Sequence, residues 1–188
     1  MSALDALPDN LPRPVERWRC DHLAGMKMPD VVLTSTQGRD VPLATLGPGR
    51  TVIYCYPRTG VPGEPLPDGW DAIPGARGCT PQACAFRDHA ADLARLGARV
   101  FGLSTQDTAY QREMAARLHL PFEVLSDARF AFTDALRLPT FTVDGMRLIK
   151  RLTLVVRDDR IEHVFYPVFP PSASAGDVVA WLEAAPSR

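Results

Sequence analysis

Two short apolar runs, TVIYCY at 51–56 and ARVFGLS at 98–104, bracket a stretch of helical character, TPQACAFRDHAADLARLG at 80–97. Apolar runs of that length, rich in β-branched and aromatic residues, read as buried strands. The stretch between them has a start signal in Thr80 and Pro81 and a stop in Gly97, so it reads as a helix. The alternation continues downstream. DTAYQREMAARLHL is a second helix ended by Pro121, FEVLS a strand and ARFAFTDALRL a short helix. RLTLVVR and RIEHVFYP flank Asp158 and Asp159 as an antiparallel hairpin, and SASAGDVVAWLEAA closes the chain as a capped amphipathic helix. Upstream, DVVLTSTQGRDVPL reads as another hairpin. This order belongs to the α/β class.

The chain has 188 residues, 46% hydrophobic, with a formal net charge of -1. That fits one domain with room for a core, here placed at 29–188 behind an N-terminal extension, 1–28, containing Pro8, Pro12 and Pro14. No basic run offers a footprint for nucleic acid or an anionic membrane, and MSALDALPDNLPRP lacks the basic and apolar regions of a secretory signal. The expectation is a cytoplasmic protein. Its four cysteines, Cys20, Cys55, Cys79 and Cys84, are then too few and scattered for a structural disulfide framework, and a disulfide would be transient chemistry.

Residues 58–78, RTGVPGEPLPDGWDAIPGARG, form an insertion loop with four prolines. Loops of that length are uncommon unless functional or disordered, and Trp70 and Ile73 argue against disorder. Two readings stand: a lid beside the cysteine pair, or a surface insertion pinned by its tryptophan.

Cys79 and Cys84 carry the chemistry. On a single helix over 80–97, Phe86, Ala90, Leu93 and Ala94 fall within an arc of about 80°, with Cys79 on that side and Cys84 about 140° away from Cys79. The two thiols therefore meet different surroundings. Cys79 sits at the helix N-terminus, where unsatisfied N–H groups favour an anion, with Arg77 nearby. The thiolate is the nucleophilic form, so Cys79 is the better attacker and Cys84 is placed to resolve its product. The plainer alternative is two small buried helix residues. Five residues apart on an intact helix, the Cα atoms lie about 8.6 Å from one another, beyond the roughly 7 Å a disulfide tolerates. Bridging them requires the helix start to unwind, which Pro81, Gly75 and Gly78 ease.

The run GCTPQACAFRD, preceded by Tyr56 and Pro57, resembles the active-site helix of the Q-type, or bacterioferritin-comigratory, atypical two-cysteine peroxiredoxins, whose pattern is close to YP…TPGCTxxxCxFRD. The likeness extends over about residues 29–184: PDVVLTSTQGRDVPL is similar to the family's opening hairpin, FGLSTQD to its third strand and turn, and LPFEVLSD to the following strand. RLTLVV matches the family's arginine strand and maps its active-site arginine to Arg151. The resemblance implies a thioredoxin-like fold, a central mixed sheet flanked by helices with a peroxiredoxin-type N-terminal hairpin. It implies a thiol peroxidase without cofactor or metal. Cys79 would attack hydrogen peroxide or an organic hydroperoxide, Cys84 would close an intramolecular disulfide, and an external dithiol such as thioredoxin would reduce it. Arg151 would hold the thiolate and orient the peroxide. The family's threonine three residues before the first cysteine is Ala76 here, and the connection after Pro57 is much longer. Three readings stand: Thr59 folds back to supply the hydroxyl, Thr80 supplies it, or the role is unfilled, which would weaken peroxide activation and shift the protein toward slower thiol chemistry.

Cys55 reads as core and Cys20 as a partly buried bystander. His89, His119 and His163 have no spacing that converges on the cysteines. Phe165, Tyr166, Phe169 and Trp181 read as packing, with a homodimer contact as the alternative. Two competing functions share the cysteines: a redox-responsive binding or signalling module with weak peroxidase activity, and a metallochaperone, which ranks low because its pattern is C-x3-C and this chain has C-x4-C.

Overall fold

The computed structural model describes residues 4 and 7–185. Its sheet is organised by β3 (Arg50–Cys55), buried along its whole length. Because side chains alternate across a strand, Val52 and Tyr54 enter one core layer while Ile53 and Cys55 enter the other. β4 (Ala98–Ser104) pairs parallel with β3, and β5 (Glu123–Ser126) parallel with β4. The hairpin of β1 (Val32–Ser35) and β2 (Asp40–Pro42) adds antiparallel beyond β5, with Thr34 opposite Ser126. On the other side β8 (Leu152–Arg157) runs antiparallel to β3 and pairs with β9 (Arg160–Phe165), completing a seven-stranded mixed sheet ordered β2-β1-β5-β4-β3-β8-β9.

One sheet face carries α1 (Cys79–Asp88) and α5 (Ser174–Ala184), together with Met114 of α3 (Thr108–Arg117). The opposite face packs Phe132 of α4 (Ala131–Ala135) and, from the N-terminal segment, Cys20, Leu23 and Met28. Among the described residues no helix is long and apolar enough to cross a membrane.

The structure corrects three sequence expectations. The helix over 80–97 is two helices, α1 and α2 (Ala90–Arg95), separated at His89, whose φ of -95° and ψ of 7° leave the helical region. The break re-phases the second half, so Phe86 and Leu93 are buried as expected, but Ala90 is only partly covered and Ala94 is exposed. α5 has no side-chain cap: Ala173 occupies that position, and the Ser174 hydroxyl is engaged elsewhere. Cys20 is buried rather than half-exposed, and with its neighbour Asp21 that burial pushes its thiol up to about 12.

A second, two-stranded sheet of β6 (Thr140–Val143) and β7 (Met146–Ile149) stands apart from the first. It supports the loop 58–78. Trp70 is buried there with Ala76, Val143 and Leu148, and its ring lies 6.1 Å from that of Phe141.

Candidate active site

Register places the arginine. Cys55 lies opposite Leu152 across the β3–β8 ladder, so Arg151, one residue before β8, comes beside the end of β3 where Tyr56 and Pro57 leave the sheet. Alternation then puts Arg151, Thr153 and Val155 on the face that carries α1. α1 begins at Cys79 through Gly78, whose φ of 103° belongs to glycine's range. A side chain at Gly78 would meet Pro171 Cγ at 2.7 Å and Leu7 Cδ2 at 2.9 Å, so the close approach of these segments also depends on that glycine.

The two predicted residues meet. Arg151 Nη2 donates to Cys79 Sγ at 3.2 Å, and both side chains are buried. The same guanidinium donates to the carbonyls of Gly75 at 3.3 Å, Ala76 at 3.0 Å and Arg77 at 3.2 Å, and to Gln82 Oε1. Four of these five partners are neutral. The sulfur is the hydrogen-bond partner of Arg151 able to take a negative charge, which gives the buried cation a counter-ion when Cys79 is a thiolate. The end of the long loop thus clamps the arginine with its backbone.

Gln82, which sequence reasoning did not single out, completes the clamp. It is fully buried, accepts from Arg151 and donates from Nε2 to Ser174 Oγ at 3.2 Å, while Ser174 Oγ lies 3.5 Å from Thr153 Oγ1. Its signal in the sequence is slight: a glutamine on the inward side of an otherwise apolar helix face, three residues after the cysteine.

Cys84 is only partly buried and lies beside the Arg87 guanidinium, which donates to Asp88 at 2.9 Å and to the Leu118 carbonyl at 3.0 Å. All four cysteines are free, and α1 is a continuous helix between Cys79 and Cys84. Cys55 is fully buried, and burial raises its thiol well above the ordinary range. The histidines stay away from the pair: His89 lies 3.4 Å from Asp92, and His163 stacks on Trp181 with centroids 4.7 Å apart.

A narrow cavity opens on Cys79, lined among others by Thr80, Thr59, Arg58, Leu66 and Trp70, and by Leu4 of the N-terminal segment. The loop therefore forms part of its wall, and Trp70 also anchors that loop to the β6–β7 sheet. The cavity volume of about 10 Å³ is close to the minimum for one water, about 10–15 Å³. Ala76 presents no hydroxyl. Thr59 does line the cavity, but its Oγ1 donates to Gln106 Oε1 at 3.3 Å and its backbone N–H to the same oxygen at 3.1 Å. Arg77 is tied to Asp71 at 3.0 Å.

Comparison with known proteins gives the chain its family and its fold relatives. The Redoxin family model matches residues 23–179. The chloroplastic peroxiredoxin Q of Arabidopsis thaliana is 34% identical over 103 residues, which take in 55% of this chain and 41% of the plant protein. That of Oryza sativa subsp. japonica is 35% identical over the same span, so the match covers about two fifths of these relatives' length. Among solved structures, peroxidoxin BcpB of Mycobacterium tuberculosis superposes with a TM-score of 0.71 at 26% identity, covering 88% of this chain and 99% of the other. Peroxiredoxin Q of Xanthomonas campestris shares the fold with a TM-score of 0.67 at 21% identity, over 86% and 97%. With its thioredoxin-like α/β fold and its likeness to Q-type peroxiredoxins, the chain belongs to the Redoxin family.

Proposed function

We propose that the protein is a thiol peroxidase in which Cys79 attacks, Cys84 resolves and Arg151 holds the reacting groups. The observation that carries the reading is the buried contact of 3.2 Å between Arg151 Nη2 and Cys79 Sγ at the start of α1. The Cys79 thiolate attacks the terminal oxygen of a hydroperoxide: an S–O bond forms, the O–O bond breaks, and the leaving oxygen takes a proton to depart as water or alcohol. Sulfur is oxidised by two electrons to a sulfenic acid. The Cys84 thiol then displaces its hydroxyl as water, forming the disulfide, and an external dithiol such as thioredoxin reduces it by exchange and leaves as its own disulfide. The geometry of α1 requires its first turn to open before the second step.

Hydrogen peroxide or an organic hydroperoxide should be consumed by the reduced protein with a recycling dithiol, and Cys79→Ser should abolish turnover. Mass spectrometry after one equivalent of peroxide should show a Cys79–Cys84 link. Full turnover by Cys79→Ser would refute the reading. The absence of a hydroxyl at Ala76 favours a second one, a redox-responsive binding module with weak peroxidase activity. Negligible turnover together with peroxide-dependent binding of a partner would select it.

A further inference from the structure

The partly buried arginines of this protein are generally matched with an acid: Arg50 with Glu162 at 2.7 Å, Arg77 with Asp71 at 3.0 Å, Arg117 with Glu113 at 2.7 Å. Arg58, which lines the Cys79 cavity, is different. It donates from Nη1 to the Met146 thioether at 3.3 Å and from Nη2 to the Tyr110 hydroxyl at 3.4 Å, and its guanidinium lies 5.4 Å from the Tyr110 ring centroid. Among the described residues no carboxylate pairs with it, and its Nε is buried with no hydrogen-bond partner. Such a donor is costly to keep unless something that visits the site accepts from it.

Attack by Cys79 creates that acceptor. As the O–O bond breaks, negative charge develops on the leaving oxygen, beside a cavity that in the resting protein has room for about one water. Ala76 offers nothing to it, Thr59 already donates to Gln106, and Arg151 is occupied by the sulfur and the loop carbonyls. We propose that Arg58 is a second catalytic guanidinium, donating from Nε to the oxygen that leaves when Cys79 attacks a peroxide. This rests on the peroxidase reading and adds a residue to it. The sulfur gains the terminal OH, the remaining RO⁻ is stabilised by Arg58 without taking its proton, and a proton from water completes ROH. Arg58 stays charged throughout.

The test is the dependence on leaving group. Single-turnover oxidation of Cys79 would be followed with hydrogen peroxide, tert-butyl hydroperoxide and peracetic acid in wild type, Arg58→Met, Arg58→Lys and Thr59→Val. Hydroxide and alkoxide are poor leaving groups that need a donor, whereas acetate leaves unaided. Arg58→Met should lose about 10²-fold on the first two peroxides, the size typical of a deleted oxyanion donor, and less than about threefold on the peracid. Arg58→Lys should show the same ordering with a smaller loss, and it reads the effect if the methionine variant does not fold. A purely structural role would slow all three oxidants alike. Equal losses across the three, no loss, or the leaving-group pattern appearing in Thr59→Val instead would overturn the assignment while leaving the peroxidase reading intact. A wild-type protein whose Cys79 resists all three oxidants would overturn both.

Discussion

Gln82 gives the sharpest test of how the site is held. Replacing it with methionine keeps the volume and the helix propensity but removes both hydrogen bonds, the acceptor for Arg151 and the donor to Ser174. The bond to the cation is of the charged kind, about 1.5–3 kcal/mol, and the neutral one about 1 kcal/mol, so the variant should lose roughly 3 kcal/mol. For a chain of this size that lowers the melting temperature by about 6–12 °C. Urea unfolding of the reduced protein, followed by far-ultraviolet dichroism, measures the loss. The same preparation should oxidise more slowly at Cys79, because Nη1 is freed and the guanidinium loses one of the contacts that aim Nη2 at the sulfur. Gln82→Glu separates orientation from charge: it places a competing carboxylate on Arg151, so it should slow oxidation of Cys79 further while keeping most of the stability. Stability within about 0.5 kcal/mol of wild type and an unchanged oxidation rate for Gln82→Met would refute the reasoning, since surface-like substitutions fall in that range.

Three further outcomes follow. Gly78→Ala must displace Pro171 or Leu7 and hold alanine at a φ of 103°, costing at least about 1–2 kcal/mol and slowing Cys79 oxidation, whereas Gly63→Ala, with φ of 88° but open space around it, should leave the oxidation rate unchanged; equal effects on that rate would count against the packing argument. Forming the Cys79–Cys84 disulfide should raise hydrogen exchange in the first turns of α1, and unchanged protection in the oxidised protein would show that the bridge closes without unwinding. Hydrogen bonds from Arg50 at 2.7 and 2.8 Å hold the Glu162 carboxyl below its ordinary range. The pair therefore stabilises the fold above the unfolded carboxyl value of about 4.3 and fades as pH falls through the lower folded value. Glu162→Gln should cost about 1 kcal/mol at pH 7 and progressively less toward pH 3 by urea midpoints, and a constant difference would exclude this linkage.

Much of the sheet was legible because each strand carries its own local signal: continuous burial in TVIYCY, the apolar run ARVFGLS, and the turn residues between β8 and β9. The β6–β7 hairpin was not singled out, although Asp144–Gly145, both at positive φ between TFTV and MRLI, is a strong two-residue turn signal. The cysteines and Arg151 could be picked out from motif and spacing. Gln82, Ser174 and Thr153 could not be, since residues 82, 153 and 174 converge only through the tertiary fold and no local pattern joins them. Arg58 is similar: next to Tyr56 and Pro57 it reads as an ordinary loop cation, and that no carboxylate among the described residues pairs with it is visible only in three dimensions. The split at His89 shows the limit of periodicity, because one residue outside the helical region shifts the phase of everything after it.

The anchorage of Trp70 has a consequence for how the protein fails. Its small cluster with Ala76, Val143 and Leu148 is separate from the two layers that sandwich the main sheet. A separate cluster of few buried contacts is the sort of unit that opens below the global transition. Yet the carbonyls of Gly75, Ala76 and Arg77 at the end of that loop are what hold Arg151 against Cys79. Under the proposed function, the chemistry is thus staked on a minor core: as denaturant or temperature rises, Arg151 should be released and peroxide consumption lost while the seven-stranded sheet is still intact, with Trp70 reporting the first event and far-ultraviolet dichroism the second.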